Sequence, residues 1–188
     1  DCAAVMRAAL DIDLPASLSF RTLEPGQPLA KSQYDIVYSW SVFEHIDRRL
    51  LGPIVSNIRA SLAPGGVLFV QVAPLFYSAE GAHLGRYGFR NWEHLSLQLN
   101  QLRAGVLEAA HVPEEARRAD WGCFETLNKI TADELVATIC GQGFKTLRRY
   151  ETHNAQEPSE HLTRIFQRET LRTEQIVALF TSHDAVER

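Results

Sequence analysis

The sequence predicts an α/β fold built on a doubly wound, mostly parallel sheet, with a helical segment inserted into it. Three observations carry this. Residues 34–39 (YDIVYS) and 67–73 (VLFVQVA) are apolar, β-branched runs of strand length that flank an amphipathic helix at 47–62. Strand, helix, turn and strand in that order make one βαβ unit, whose strands should be parallel. Residues 74–127 then break the rhythm for longer than a connector in a compact fold requires, and regularity resumes at 131.

Each element has a local reason. Residues 2–12 (CAAVMRAALDI) are alanine-rich, with Val5, Met6 and Leu10 in helical register, and Pro15 closes that helix. Residues 17–22 (SLSFRT) alternate as a short strand would, before Glu24-Pro25-Gly26. In the helix at 47–62, Leu50, Ile54, Ile58 and Leu62 form a stripe that Leu51 and Val55 widen. Asp47 is its N-cap, and Pro64-Gly65-Gly66 turns the chain into the strand at 67–73. The stretch 74–127 is rich in aromatic and histidine residues, has a helix near 91–110, and reads as a lid or substrate segment. Thr131-Ala132-Asp133-Glu134 is a capping box opening a helix to about Cys140. Gly141 and Gly143 release the chain into a strand at 144–150, a helix follows at 158–169, and 174–181 is the last strand before a frayed tail.

Composition excludes several classes. The chain has 188 residues, 45% of them hydrophobic and 22% charged, enough for one cored domain. A net charge of −4 with dispersed Arg and Lys offers no basic track for nucleic acid. The longest apolar runs fall far short of the roughly 20 residues that a membrane helix needs. Cys2, Cys123 and Cys140 lie far apart, show no zinc spacing, and suit free thiols in a reducing cytoplasm. Acids and histidines are likewise too scattered in sequence to assemble a metal site, so none is expected. A small-molecule substrate and a second copy of the chain in a homo-oligomer are the partners that remain, with no nucleic acid and no membrane expected.

The segment YDIVYSWSVFEHI (34–46), followed by a helix ending in LAPGGVLFVQVA (62–73), resembles the second half of class I S-adenosylmethionine-dependent methyltransferases. Their aspartate early in a strand, Ser/Trp-rich strand exit, Glu-His pair and Pro-Gly-Gly before the next strand recur here in order. The later stretch PLFYSAEGAHL, with WEHL and LNKITADEL after it, is similar to members that methylate sugars or glycan-linked metabolites. The resemblance implies a Rossmann-like fold and S-adenosylmethionine as cofactor. It also implies that residues 1–188 are the C-terminal two-thirds of one such domain, with 74–127 inserted.

Site residues follow from the same resemblance. Ser39, Trp40 and Ser41 would border the cofactor at a strand's carboxyl end, where open α/β sheets bind ligands. Glu24 matches the position whose acid accepts from the adenine amino group, or is a solvated turn residue. Trp40 packs on adenine, on the acceptor or in the core. Glu44 and His45 open a helix near the methyl-transfer point, with Glu44 on the substrate side. His83, in a glycine-rich stretch, is the leading candidate for a base that takes a proton from an acceptor hydroxyl, with His45 second. Tyr77, Tyr87 and Trp92 are sugar-stacking surfaces or lid core.

The family's glycine-rich cofactor turn is missing: no GxGxG occurs in these residues. Together with a start at Asp1, this leads us to expect a preceding βαβ unit, absent here, whose strand would lie beside residues 34–39. Without it, that strand would present unpaired backbone groups. The alternative to an enzyme is a methyltransferase-like interaction or dimerisation module that has lost cofactor binding.

Overall fold

The computed structural model describes residue 15, residues 17–24 and residues 27–182. The helix expected at 2–12, Pro25-Gly26 and the tail after Ser182 lie outside the described residues. The helices and strands, in chain order, are β1 (Tyr34–Trp40), α1 (Arg48–Ser61), β2 (Leu62–Val72), α2 (Glu93–Ser96), α3 (Leu99–Leu107), α4 (Glu114–Thr126), α5 (Ala132–Gly141), β3 (Phe144–His153), α6 (Glu160–Thr163), α7 (Arg168–Arg172) and β4 (Thr173–Ser182).

The fold is mixed α/β, as the sequence indicates. β1 and β2 pair in parallel across α1, with Ile36 opposite Val67 and Trp40 opposite Gln71. β4 then inserts antiparallel between β2 and β3, so the described sheet has the order β1-β2-β4-β3 and only its first pairing is parallel. The expected strand at 17–22 does not form. Those residues are exposed and no described strand pairs with them, and without a ladder partner alternation alone cannot hold a strand.

Local chemistry explains the βαβ unit. The Asp47 carboxylate caps α1 by accepting from the Arg49 backbone amide at 2.9 Å. The buried line of α1 is Leu51, Val55 and Ile58, running on to Leu62, with Leu50 and Ile54 on its flank. The apolar stripe is thus turned by one residue from the expected one, so that it meets the sheet squarely. Pro64-Gly65-Gly66 does not merely stop the helix. It forms an irregularity inside β2, so that Tyr34 faces Leu62 but Ile36 faces Val67. Gly65 takes φ +83°, and a Cβ on Gly66 would sit 2.8 Å from the Tyr34 carbonyl oxygen. Both glycines are needed for β2 to lie against β1.

One face of the sheet carries the main core. Leu68, Val70 and Val72 of β2 and Ile176, Ala178 and Phe180 of β4 pack with α1 and with Leu135 and Ile139 of α5. The capping box of α5 is present on both sides, between Thr131 and Glu134. The other face is bare along β1, where Ile36 is 65%, Tyr38 73% and Trp40 61% exposed.

The segment 74–127 builds a second core of its own. Leu102 and Val106 of α3 pack against Trp121 and Phe124 of α4, with Phe76 and Leu84 beneath them. The helix expected near 91–110 is two helices, α2 and α3, separated by the extended residues Leu97 and Gln98. The helix expected at 158–169 is likewise two short ones, α6 capped by Ser159 and then α7.

Candidate active site

The carboxyl ends of β1 and β2 open towards one region, and the chain leaves them by two tight paths. After β1, Ser41 enters left-handed backbone at φ 48° and the residues Phe43–His45 make a single 3-10 turn. After β2, the loop climbs through residues 74–82 to His83, also left-handed at φ 59°. Such backbone costs a non-glycine residue about 1–3 kcal/mol, so surrounding contacts must hold it. Lys129, at φ 57°, borders the same region.

Those contacts are specific. Ser41 Oγ reaches Gln71 Oε1 at 3.0 Å and the Ala73 carbonyl at 3.2 Å, tying the two strand tips together. Asn128, beyond α4, donates from Nδ2 to the carbonyls of Phe43 and Ile46 at 2.7 and 2.8 Å. Its own amide donates to the Glu44 carbonyl at 2.8 Å. One asparagine therefore clamps the turn that carries Glu44 and His45.

The turn brings His45 beside His83, with ring centroids 5.4 Å apart and edge to face. His83 Nε2 lies 3.1 Å from the Pro74 carbonyl. A carbonyl oxygen only accepts, so Nε2 carries the proton and the neutral ring keeps its lone pair on Nδ1. Burial lowers the pKa of both rings, and in His45 the neighbouring His83 lowers it further. Next to them Glu44 is 3% exposed, and neither carboxylate oxygen has a hydrogen-bond partner. Burial pushes its carboxyl up to about 7, against a smaller pull from its own backbone amide.

Cys123, on α4, completes the group. Its Sγ is 3.9 Å from His45 Nδ1, and burial, then Asp120, then Glu44 raise the thiol. Sequence spacing offered no metal site, yet one ligand atom each from His45, His83 and Cys123 lie within 4.8 Å of one another. The three are separated by at least 38 residues in sequence, so no spacing rule could have found them. An open hollow of about 470 Å³, lined by His45, Asp47, Arg48, Glu125, Thr126 and Asn128, adjoins the group.

The remaining expected residues scatter. Ser39 lies one residue before the end of β1, on the core side, with its Oγ buried and unpartnered. Trp40 points to the bare face and stacks on Phe69 at 6.4 Å. Ser41 is occupied in joining the strand tips. Glu24 is exposed, ends no strand, and its amide donates to Gln27 Oε1 at 3.1 Å. Tyr77 is half-buried between Phe76 and Phe166. Tyr87 is half-buried, donates its hydroxyl to Asp120 at 2.6 Å and packs against the second core. Trp92 is 3% exposed and donates Nε1–H to the Leu171 carbonyl at 2.9 Å, which makes it core.

No protein-family model and no curated protein matches this sequence. Solved structures do. An S-adenosylmethionine-dependent methyltransferase from Mesorhizobium loti is 13% identical, with a TM-score of 0.51 over 94% of this chain and 74% of that one. The fold is that of a class I methyltransferase. The CurJ carbon methyltransferase is 15% identical with a TM-score of 0.47, over 96% of this chain and 38% of that one. In the methyltransferase fold described here, the His45–His83 group stands at the carboxyl ends of the parallel pair, where ligands of open α/β sheets bind. Cys123 and Cys140 are free thiols, and no described helix is long and apolar enough to cross a membrane.

Proposed function

We propose that the protein transfers a methyl group from S-adenosylmethionine to a small hydroxylated or amino-bearing metabolite, a sugar or glycan precursor first among them. The observation that carries this reading is the edge-to-face pair of His45 and His83 beside the buried, unpartnered Glu44 side chain at the carboxyl ends of β1 and β2. S-adenosylmethionine, when bound, supplies an electrophilic methyl group on a sulfonium. His83 holds a lone pair on Nδ1 that can take the acceptor's proton, and its Nε2–H bond to the Pro74 carbonyl strengthens as the ring becomes positive. His45 can serve an acceptor placed nearer the open hollow.

Of the residues expected at the cofactor near the tip of β1, the exposed Trp40 ring is the one open to a ligand. Ser39 Oγ is a buried polar atom without a partner near the tip of β1, on the core side of the sheet. Trp40 offers an exposed ring one residue on. The glycine turn that lets backbone amides approach such a ligand is not among these residues.

Calorimetry with S-adenosylmethionine tests the binding, and two variants test the roles. Trp40→Ala should weaken cofactor binding, while His83→Ala should lower turnover by about 100-fold with cofactor affinity kept, the scale of a lost general base. Unchanged turnover in His83→Ala would remove the base assignment. The bare face at Ile36, Tyr38 and Trp40 favours a second reading, an interaction or dimerisation module. That reading requires no heat of cofactor binding and a sedimentation coefficient that rises with protein concentration.

A further inference from the structure

We propose that His45, His83 and Cys123 form a binding site for a divalent ion of the zinc class, with Glu44 beside them to balance its charge. The inference does not rest on methyl transfer. Two imidazoles and a thiol are the donor set that zinc takes, whereas magnesium and calcium demand oxygen. At zinc bond lengths, neighbouring donors around a tetrahedral ion stand about 3.3–3.8 Å apart. Here the Cys123 Sγ to His45 Nδ1 distance is 3.9 Å, and all three ligand atoms fall within 4.8 Å. Small side-chain rotations close that difference.

The surroundings support the ligands. A metal-bound histidine commonly donates its other ring N–H to a carbonyl or carboxylate, which fixes the tautomer. His83 already does so, to the Pro74 carbonyl at 3.1 Å, and keeps Nδ1 as its lone-pair nitrogen. The Asn128 clamp holds the backbone on both sides of His45, and Thr126 Oγ1 donates to the Cys123 carbonyl at 2.7 Å. Glu44 is the second, independent observation. Glu44 directly precedes His45, and a buried carboxylate with both oxygens unpartnered is costly. A divalent cation next to it, bound by the thiolate, leaves the group neutral. Ion binding expels the thiol proton to solvent, and the adjoining hollow of about 470 Å³ gives both a path. A bound ion occupies the imidazole lone pairs, so ion binding and the base role exclude each other at any one moment.

Cobalt(II) is the probe, because it takes zinc's place and reports its ligands by absorption. Titration of the protein should give the visible bands of a tetrahedral site together with a thiolate-to-cobalt charge-transfer band, at one ion per chain. The charge-transfer band should persist in Cys140→Ser and vanish in Cys123→Ser. His83→Gln should weaken cobalt binding by more than about tenfold, a loss that even an outer-shell partner can cause. Unfolding midpoints of the ion-free variants, matched to the parent, show that the variants fold. Absence of a thiolate band in the parent, or a band of equal strength in Cys123→Ser, overturns the proposal. Neither result bears on S-adenosylmethionine binding, so the two readings fail separately.

Discussion

Replacing Asn128 tests whether the turn carrying Glu44 and His45 is held from outside. In Asn128→Ala, the Phe43 and Ile46 carbonyls lose a donor and the Ile130 amide loses its acceptor at 3.0 Å. Each such bond contributes about 0.5–1.5 kcal/mol net, so three contribute roughly 1.5–4.5 kcal/mol. Asn128 borders an open hollow, so water can replace part of this, which gives an expected loss of about 2 kcal/mol. For a domain of this size that lowers the melting temperature by about 4–8 °C. Urea unfolding should show a lower midpoint with an unchanged slope, since the same surface is exposed. Asn128→Asp makes the check stricter. It keeps the acceptor for Ile130 but sets a second oxygen against two carbonyls, so it should be at least as unstable as the alanine variant at neutral pH. A loss below about 1 kcal/mol in Asn128→Ala, or parental stability in Asn128→Asp, would refute the clamp.

Two further outcomes follow from local geometry. Gly66→Ala should destabilise the protein by about 1–3 kcal/mol, because its Cβ meets the Tyr34 and Ala63 carbonyl oxygens at 2.8 and 2.9 Å and β2 must shift; denaturant midpoints read this, and a neutral result would mean β2 lies further from β1. Tyr87 is held up to about 12 by burial first and then by its bond to Asp120. A raised folded pKa means that stability is whole below the usual tyrosine value and is lost as pH rises through about 10–12. Tyr87→Phe should therefore unfold more easily than the parent at neutral pH, by about 1 kcal/mol. That gap should narrow across the alkaline window in melts taken at stepped pH, and a constant gap would contradict the Tyr87–Asp120 bond.

Most of the βαβ unit was legible because it is written in short-range chemistry. Asp47 caps α1 from its own position, Thr131 and Glu134 cap α5 reciprocally, and the strands expected at 34–39, 144–150 and 174–181 form, each extended by one to three residues. Where expectation and structure part, a partner distant in sequence decided. Residues 17–22 alternate like a strand but have no described neighbour to pair with. Trp92 has a ring that could stack on sugars, and only its burial and its bond to the Leu171 carbonyl reveal it as core.

The sequence by itself determined the fold class and the parallel pair, together with the motif residues at its tips, because helix caps, apolar periods and turns act within a few residues. Tertiary structure alone decided the antiparallel insertion of β4, the clamp at Asn128, and the meeting of His45, His83 and Cys123. Such contacts join residues dozens of positions apart. Their geometry follows from how two cores pack against each other, which no local pattern encodes.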